Sequence, residues 1–169
     1  MNCIKVEIID SKLKALMSLL EDCVESGASV GFLHPLGVDE CERYWLGINP
    51  LLKDGSRILL VVEIDDKIVG SVQASFCHKK NGLHRAEVEK LMVHRSYRGR
   101  GIGRKLLNAI EVAIRERNCW LIVLDTRVGD VASRLYRSAG YIEAGQIPSY
   151  ALSSSGSYEA TAFFYKRNQ

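Results

Sequence analysis

A stretch rich in arginine and glycine is the segment of this sequence with the clearest chemical potential. It consists of Arg98, Gly99, Arg100, Gly101, Ile102, Gly103 and Arg104. Glycine lets a ligand approach the backbone closely because no Cβ stands in the way. Arginine forms charge-assisted hydrogen bonds with phosphate oxygens. A helix that begins directly behind the stretch would add unpaired backbone N–H groups and the positive end of its dipole, so the stretch predicts a pyrophosphate-binding site.

Two well-known phosphate-binding motifs do not fit this stretch. The P-loop pattern GxxxxGK[ST] is absent from the sequence. The dinucleotide-binding pattern GxGxxG fails because, counted from Gly99, its third glycine position is Arg104. A flexible surface loop and an RNA-contacting basic patch remain as alternatives, although the formal net charge of +3 is too small to imply a nucleic-acid partner. We therefore predict no nucleic-acid partner.

The elements around this stretch indicate an α/β protein with a mixed sheet. Apolar residues at helical spacing from Leu106 to Ile114 predict an amphipathic helix immediately behind it. Alternating or β-branched apolar segments predict strands at 3–9, 58–64, 68–76, 86–93, 120–124, 141–147 and 160–165. Further helices are predicted at 13–24, at about 39–52 and at 131–139. The order of elements combines an antiparallel meander with one strand-helix-strand crossover.

The bulk composition is that of one ordinary globular domain over residues 1–169. Hydrophobic residues make up 47% and charged residues 25% of the chain. No apolar run is long enough to span a membrane, and the first residues do not form a signal-peptide pattern. The five cysteines are dispersed and odd in number, so we expect reduced thiols in a cytoplasmic protein and no metal site.

The string from Arg98 to Gly103 resembles R-x-x-G-x-G, the coenzyme A pyrophosphate signature of the GNAT acetyltransferase superfamily. The strand before it and the helix after it lie where that family has them. Tyr136 followed by the pair Gly140-Tyr141 also matches the pattern of the family's last helix. The resemblance implies a mostly antiparallel sheet of six or seven strands, with a splayed central parallel pair and about four helices.

A closer resemblance, to the tabtoxin-resistance type of GNAT enzyme, runs from about residue 84 to the C-terminus. It is visible in residues 84–93 and in Leu124-Asp125-Thr126. The first eighty residues contain no specific motif, so the acceptor of that type does not carry over.

The resemblance implies acetyl-CoA as cosubstrate. The residues around Arg98 to Arg104 would hold its pyrophosphate. The backbone of Leu91, Met92 and Val93 would hold its pantetheine arm, as a peptide adds to a sheet edge. The backbone N–H of Met92 or Val93 would donate a hydrogen bond to the thioester carbonyl.

Acetyl transfer to an amine needs a base, a polarised carbonyl and a proton for the departing thiolate. Glu87 and Glu89 are two apart on a predicted strand and share a face unless a bulge intervenes. Asp125 ends the neighbouring strand. The resemblance assigns the base to Glu87 and Asp125, with Glu89 as second choice; Glu89 could instead pair with Lys90 or an arginine. Tyr136 is the predicted proton donor.

These residues predict an N-acetyltransferase that acts on a primary amine of a small molecule or peptide. No cysteine has a partner that would activate it as a nucleophile, so direct attack in a ternary complex is favoured. The alternative is a non-catalytic acyl-CoA-binding sensor. The acidic pair suggests a cationic acceptor. We expect no membrane partner, and strand 160–165, if it is an exposed edge, would allow a homodimer.

Overall fold

The computed structural model describes residues 2–168, which form one seven-stranded sheet with helices on both faces. The strands are β1 (Cys3–Lys5), β2 (Arg57–Ile64), β3 (Lys67–Phe76), β4 (Arg85–Val93), β5 (Leu121–Arg127), β6 (Ile142–Leu152) and β7 (Tyr158–Arg167). The helices are α1 (Leu13–Glu25), α2 (Val38–Leu46), α3 (Asn49–Lys53), α4 (Ile102–Arg115) and α5 (Val131–Ser138). Three short 3-10 turns lie at residues 10–12, 80–82 and 95–97.

The sheet has the strand order β1-β2-β3-β4-β5-β7-β6. Only β4 and β5 are parallel neighbours; the other pairs are antiparallel. The predicted α/β fold, with a mixed, mostly antiparallel sheet and a central parallel pair, is confirmed.

Several predicted elements have different bounds in the structure, and two of these differences have a clear physical reason. The first strand ends at Lys5, because the chain leaves the sheet after the hydrogen bond from Val6 N to Leu59 O (2.9 Å). The helix predicted at about 39–52 is two helices, α2 and α3. Pro50 has no N–H to continue a helix through its position but is well suited to the first turn of a new one, where it lies.

The core has two halves, one on each face of the sheet. Helices α4 and α5 cover one face and α1, α2 and α3 cover the other. Gly70 of β3 allows α4 to approach the sheet, since a Cβ there would lie 2.9 Å from Leu106 Cδ1 and 3.1 Å from Met92 O. This close packing fixes the start of α4 beside the end of β4.

Strands β4 and β5 pair only over a short distance and then separate. Their register runs from Arg85↔Leu121 to Glu87↔Val123, and no pairing continues beyond this within residues 2–168. Strand β4 also contains a bulge. Gln73 and Ser71 of β3 are two residues apart, whereas their partners on β4, Glu89 and Met92, are three residues apart. The predicted splay between the parallel strands is therefore present.

The expectation of an exposed edge at residues 160–165 is wrong. These residues belong to β7, which lies between β5 and β6 and pairs with both. The β6–β7 hairpin places its second strand against β5, so the first strand, β6, is the edge. A homodimer through 160–165 thus has no basis in the sheet.

Within residues 2–168 no helix has the length and apolar character needed to cross a membrane. All five cysteines are free thiols. The single domain over 1–169 and the cytoplasmic location stay predictions.

Candidate functional site

The loop between β4 and α4, residues 94–101, has a backbone that requires glycine at two positions. Gly99 and Gly101 have φ values of 75° and 77°, which a side chain tolerates poorly. A Cβ added at either glycine would meet nothing within 4 Å. The space above both residues is therefore open to a ligand. We call residues 94–101 the phosphate loop.

The first turn of α4 supplies unpaired hydrogen-bond donors next to these glycines. The first intrahelical bond runs from Lys105 N to Gly101 O (3.0 Å). In the part of the chain that the structure describes, no acceptor meets the backbone N–H groups of residues 99–104. Such amides, at the positive end of a fourteen-residue helix, can bind an anion.

The arginines around the phosphate loop have different surroundings. Arg95 is fully engaged: its Nε lies 2.5 Å from Asp22 Oδ1 and its Nη2 lies 2.8 Å from Glu25 Oε2. Arg100 donates to Ser96 O (3.1 Å) and lies over the ring of Tyr97. Arg95 therefore ties the loop to α1, whereas Arg100 belongs to the loop itself.

Two further arginines connect the loop to other elements. Arg98 donates through Nε to Val93 O (3.0 Å) and through Nη2 to Ser26 Oγ (2.6 Å). Arg104 donates to the hydroxyl of Ser138 at the end of α5. Arg98 thus links the end of β4 to the segment that follows α1.

The end of β4 presents its backbone to the gap between β4 and β5. His94 N donates to Val69 O of β3 (2.9 Å), and Met92 lies opposite Ser71 of the same strand. Because backbone groups alternate in direction along a strand, the N–H of Met92 points towards β3 and that of Val93 points away from it. Of the two residues predicted to donate to a carbonyl, Val93 is the one whose N–H faces the gap.

A cavity of about 330 Å³ occupies this gap, and we call it the strand cavity. The predicted coenzyme residues Leu91, Met92, Val93, Arg98 and Gly103 line it, together with Arg127, Asp130 and residues of α5 and of the segment after α1. Gly103 has little room for a side chain, since a Cβ there would lie 3.3 Å from Leu135 Cδ2. The structure therefore brings the predicted pantetheine strand and the start of α4 to one cavity.

A second cavity, of about 370 Å³, adjoins the strand cavity, and we call it the acidic cleft. The three predicted catalytic residues Glu87, Asp125 and Tyr136 all line it. Leu91, Ala28, Asp130 and Ala132 line both cavities, so the two are neighbours. A third cavity, of about 520 Å³, lies between residues 26–33 and the β6–β7 turn. Residues from the segment 26–33 border all three cavities.

The two carboxylates predicted to act as base have raised pKa values. Burial is the largest cause of the raised pKa of Glu87, followed by the charges of Glu89 and Asp125. Burial is also the largest cause of the raised pKa of Asp125. Neither carboxylate has a hydrogen bond or ion pair with another described residue. Both are thus available to a ligand and are stronger bases than ordinary carboxylates.

Glu89, the second choice as base, is occupied by other residues. Its Oε1 lies 3.3 Å from Arg57 Nη2 and accepts a hydrogen bond from the hydroxyl of Ser75. The alternative interpretation, in which Glu89 pairs with an arginine, agrees with this geometry.

Tyr136 is buried at 6% exposure and packs against Tyr141 and Phe164. Burial is the first cause that raises the pKa of its phenol, with Asp125 and Asp130 as further causes. Its hydroxyl makes no hydrogen bond to any residue from 2 to 168. The side chain stays protonated at neutral pH and can donate a proton into the acidic cleft.

Lys90 is a site residue for which the sequence alone indicated only a possible ion pair with Glu89. Its Nζ lies 5.9 Å from the ring centroid of Phe32 and 5.7 Å from that of Tyr44, and it lines the acidic cleft. A signal was available: apolar residues fall on even positions at Ala86 and Val88 and, after Glu89 and Lys90, on odd positions at Leu91 and Val93, which pack in the same half of the core. Such a change of phase indicates a bulge.

Comparisons with known proteins agree with this architecture. A family model described as the acetyltransferase (GNAT) family matches residues 14–141. An uncharacterized N-acetyltransferase of Azospirillum brasilense, encoded in the hisH-hisA intergenic region, is 31% identical over 133 residues, which is 75% of this chain and 77% of that protein.

Solved structures have the same fold. The ribosomal-protein-alanine N-acetyltransferase of Brucella melitensis is 26% identical with a TM-score of 0.81, covering 97% of this chain and 99% of that one. The protein yncA of Salmonella typhimurium, solved with its cofactor acetyl-CoA, is 19% identical with a TM-score of 0.79, covering 100% and 95%.

Proposed function

Because this chain belongs to the acetyltransferase (GNAT) family, we propose that it transfers acetyl directly to a primary amine in a ternary complex. Family membership makes the chain an acetyl-CoA-dependent acetyltransferase. The observation that supports direct transfer is the contact between two cavities at the splayed strands. The strand cavity is lined by backbone suited to a coenzyme, and the adjoining acidic cleft is lined by Glu87, Asp125 and Tyr136.

The residues of this chain fit acetyl-CoA. The free N–H groups at the start of α4, with Arg100 and Arg104 nearby, would hold the pyrophosphate, and the open space above Gly99 and Gly101 leaves room for it. The exposed backbone of β4 would hold the pantetheine arm. The bound coenzyme supplies an electrophilic thioester, and the Val93 N–H would stabilise the charge that develops on its carbonyl oxygen.

Proton transfers fall to the side chains of the acidic cleft. An amine attacks only after it has lost a proton, and free amines have pKa values of about 8 to 10.4. Glu87 and Asp125 would take that proton, directly or through a water molecule. The amine nitrogen then bonds to the acetyl carbon, the carbon–sulfur bond breaks, and Tyr136 would give its proton to the departing thiolate.

We propose a small molecule or a peptide as the amine acceptor. The Brucella melitensis relative acts on the alanine of a ribosomal protein, which supports a peptide amine. The resemblance of residues 84 onwards to the tabtoxin-resistance type supports a small molecule and stays a prediction. A homodimer also stays a prediction.

Thiol release from acetyl-CoA in the presence of a panel of primary amines tests the proposal. We expect release that depends on one amine class, and calorimetry should show binding of coenzyme A alone. Coenzyme A at 100 times its Kd should raise the free energy of unfolding by about 2.7 kcal/mol. Coenzyme binding without thiol release from any amine would instead support the sensor alternative.

A further inference from the structure

Lys90 places an ammonium group in the acidic cleft, where the acceptor amine would bind. We propose that this ammonium binds a carboxylate of the acceptor, so that the acceptor is an amino-acid-like molecule with an amine and a carboxylate. The inference rests on the proposed function of the cleft, since it specifies the substrate class of the same site.

The carboxylates of Glu89, Asp125 and Glu87 attract the Lys90 ammonium, but none of them forms an ion pair with it. Four carboxylates line the cleft, and Lys90 is the one cation among its described lining residues. Glu89 pairs with Arg57, and Asp130 pairs with Arg127 at 2.7 Å. No ion pair forms between Lys90 and any described residue. What remains is an unpaired acidic pair, suited to an amine, and an unpaired ammonium, suited to an anion.

The surroundings of the Lys90 ammonium hold it in place but do not neutralise it. The ring faces of Phe32 and Tyr44 attract a cation, and the two rings contact each other edge to face at 5.0 Å. Gly31 passes close by, because a Cβ there would lie 3.5 Å from Nζ. Burial lowers the pKa of Lys90, the charges of Glu89, Asp125 and Glu87 oppose that effect, and a bound carboxylate would oppose it further by favouring the charged form.

The backbone at Lys90 indicates that its side chain has a role. Its φ of 51° is in the left-handed region, where a glycine costs less free energy. The other non-glycine residues with positive φ between residues 2 and 168 have short polar side chains: Asp65, Asp66, Asn118 and Ser149. Lys90 is the only long side chain in this group and the only one that lines the acidic cleft.

This arrangement discriminates between acceptor classes. A peptide N-terminus has no carboxylate next to its amine, because that carboxyl group is part of an amide bond. A polyamine or aminosugar would bring more positive charge towards Lys90. A molecule with one amine and one carboxylate satisfies the acidic pair and Lys90 together.

Matched acceptor pairs test the proposal directly. Amino acids with increasing separation between amine and carboxylate are each compared with their own carboxamide, with thiol release from acetyl-CoA as the readout. We expect kcat/KM to favour the acid over its carboxamide by about 10- to 100-fold for the best spacing, the range typical of a charged hydrogen bond.

Substitution of Lys90 by methionine, which is similar in length and uncharged, identifies the source of that preference. In Lys90→Met the ratio between acid and carboxamide should fall to about one, through a higher KM for the acid. Lys90→Arg should keep part of the preference. Lys67→Met, at an exposed lysine at the start of β3, should keep all of it.

The outcomes separate the two proposals. If the wild-type enzyme acetylates amines without favouring acids, or if Lys90→Met keeps the preference while still binding coenzyme A, the role of Lys90 is refuted and the proposed function stands. If no amine in the panel supports thiol release, the proposed function fails and the inference about Lys90 fails with it.

Discussion

The phosphate loop and the acidic cleft both adjoin the strand cavity, yet they are built differently. The loop uses the backbone of one continuous stretch, and its conformation depends on glycines at positive φ. The cleft uses side chains from β4, β5, α5 and residues 28–31, which are far apart in the sequence. A site made of local backbone leaves a readable pattern in the sequence, whereas a site made of distant side chains does not.

The largest effect is expected when the acidic pair, Glu87 and Asp125, is removed, because this change affects the acidic cleft and leaves the phosphate loop intact. In the double variant Glu87→Gln/Asp125→Asn, kcat for thiol release should fall by about 10²- to 10⁴-fold because the amine loses its base. The Kd for coenzyme A from calorimetry should not change. Glu89→Gln is the matched control, since Glu89 is already paired with Arg57. A larger loss with Glu89→Gln than with the double variant would move the base to Glu89.

The next effect tests the proton donor. Tyr136→Phe should lower kcat by about 10²-fold, because the ring that fills the core stays and only the hydroxyl is lost. Tyr141→Phe is the control, since Tyr141 is also buried and packs against Tyr136 but does not line the acidic cleft. Equal rates for both variants in steady-state assays would argue against a role for the Tyr136 hydroxyl.

A smaller effect should arise from the phosphate loop. Gly101→Ala should weaken coenzyme A binding by about tenfold, because it places a Cβ in the space for phosphate. A tenfold change in Kd corresponds to about 1.4 kcal/mol. Gly140→Ala is the matched control, because Gly140 also has positive φ and open space around it but follows the C-terminus of α5. Both variants should lose about 1 kcal/mol of stability in urea unfolding. Equal coenzyme affinities would show that phosphate does not bind at Gly101.

The smallest effect is on the pH dependence of stability. The raised pKa values of Glu87 and Asp125 mean that the folded protein binds more protons than the unfolded chain between the ordinary and raised values. Stability therefore falls as pH rises through this window. Glu87→Gln/Asp125→Asn should be more stable than wild type at neutral pH, and the difference should vanish below about pH 4 in denaturation series. A variant that is less stable at neutral pH would contradict the desolvation of the pair.

The fold and the loop were predictable because their signals are local. Apolar spacing predicted α1, β2 and β3 nearly to their ends and α4 from its second turn onwards, and the pattern from Arg98 to Gly103 identified the start of α4. The position of β7 inside the sheet was not predictable from its own residues, because strand order depends on pairing between distant segments. The change of phase after Val88 indicated a bulge, but the direction of the Lys90 side chain also depends on the register between β3 and β4, so its place in the cleft was missed.

The additional residue in β4 also determines how the length of this strand can change. If one residue between Glu89 and Met92 were lost, β4 could pair with β3 without interruption. Met92 would still lie opposite Ser71 and the Val93 amide would still face the gap, but the left-handed backbone at Lys90 would disappear. We therefore expect that shortening β4 by one residue here changes the surroundings of Lys90 and leaves the coenzyme-facing end of the strand in place.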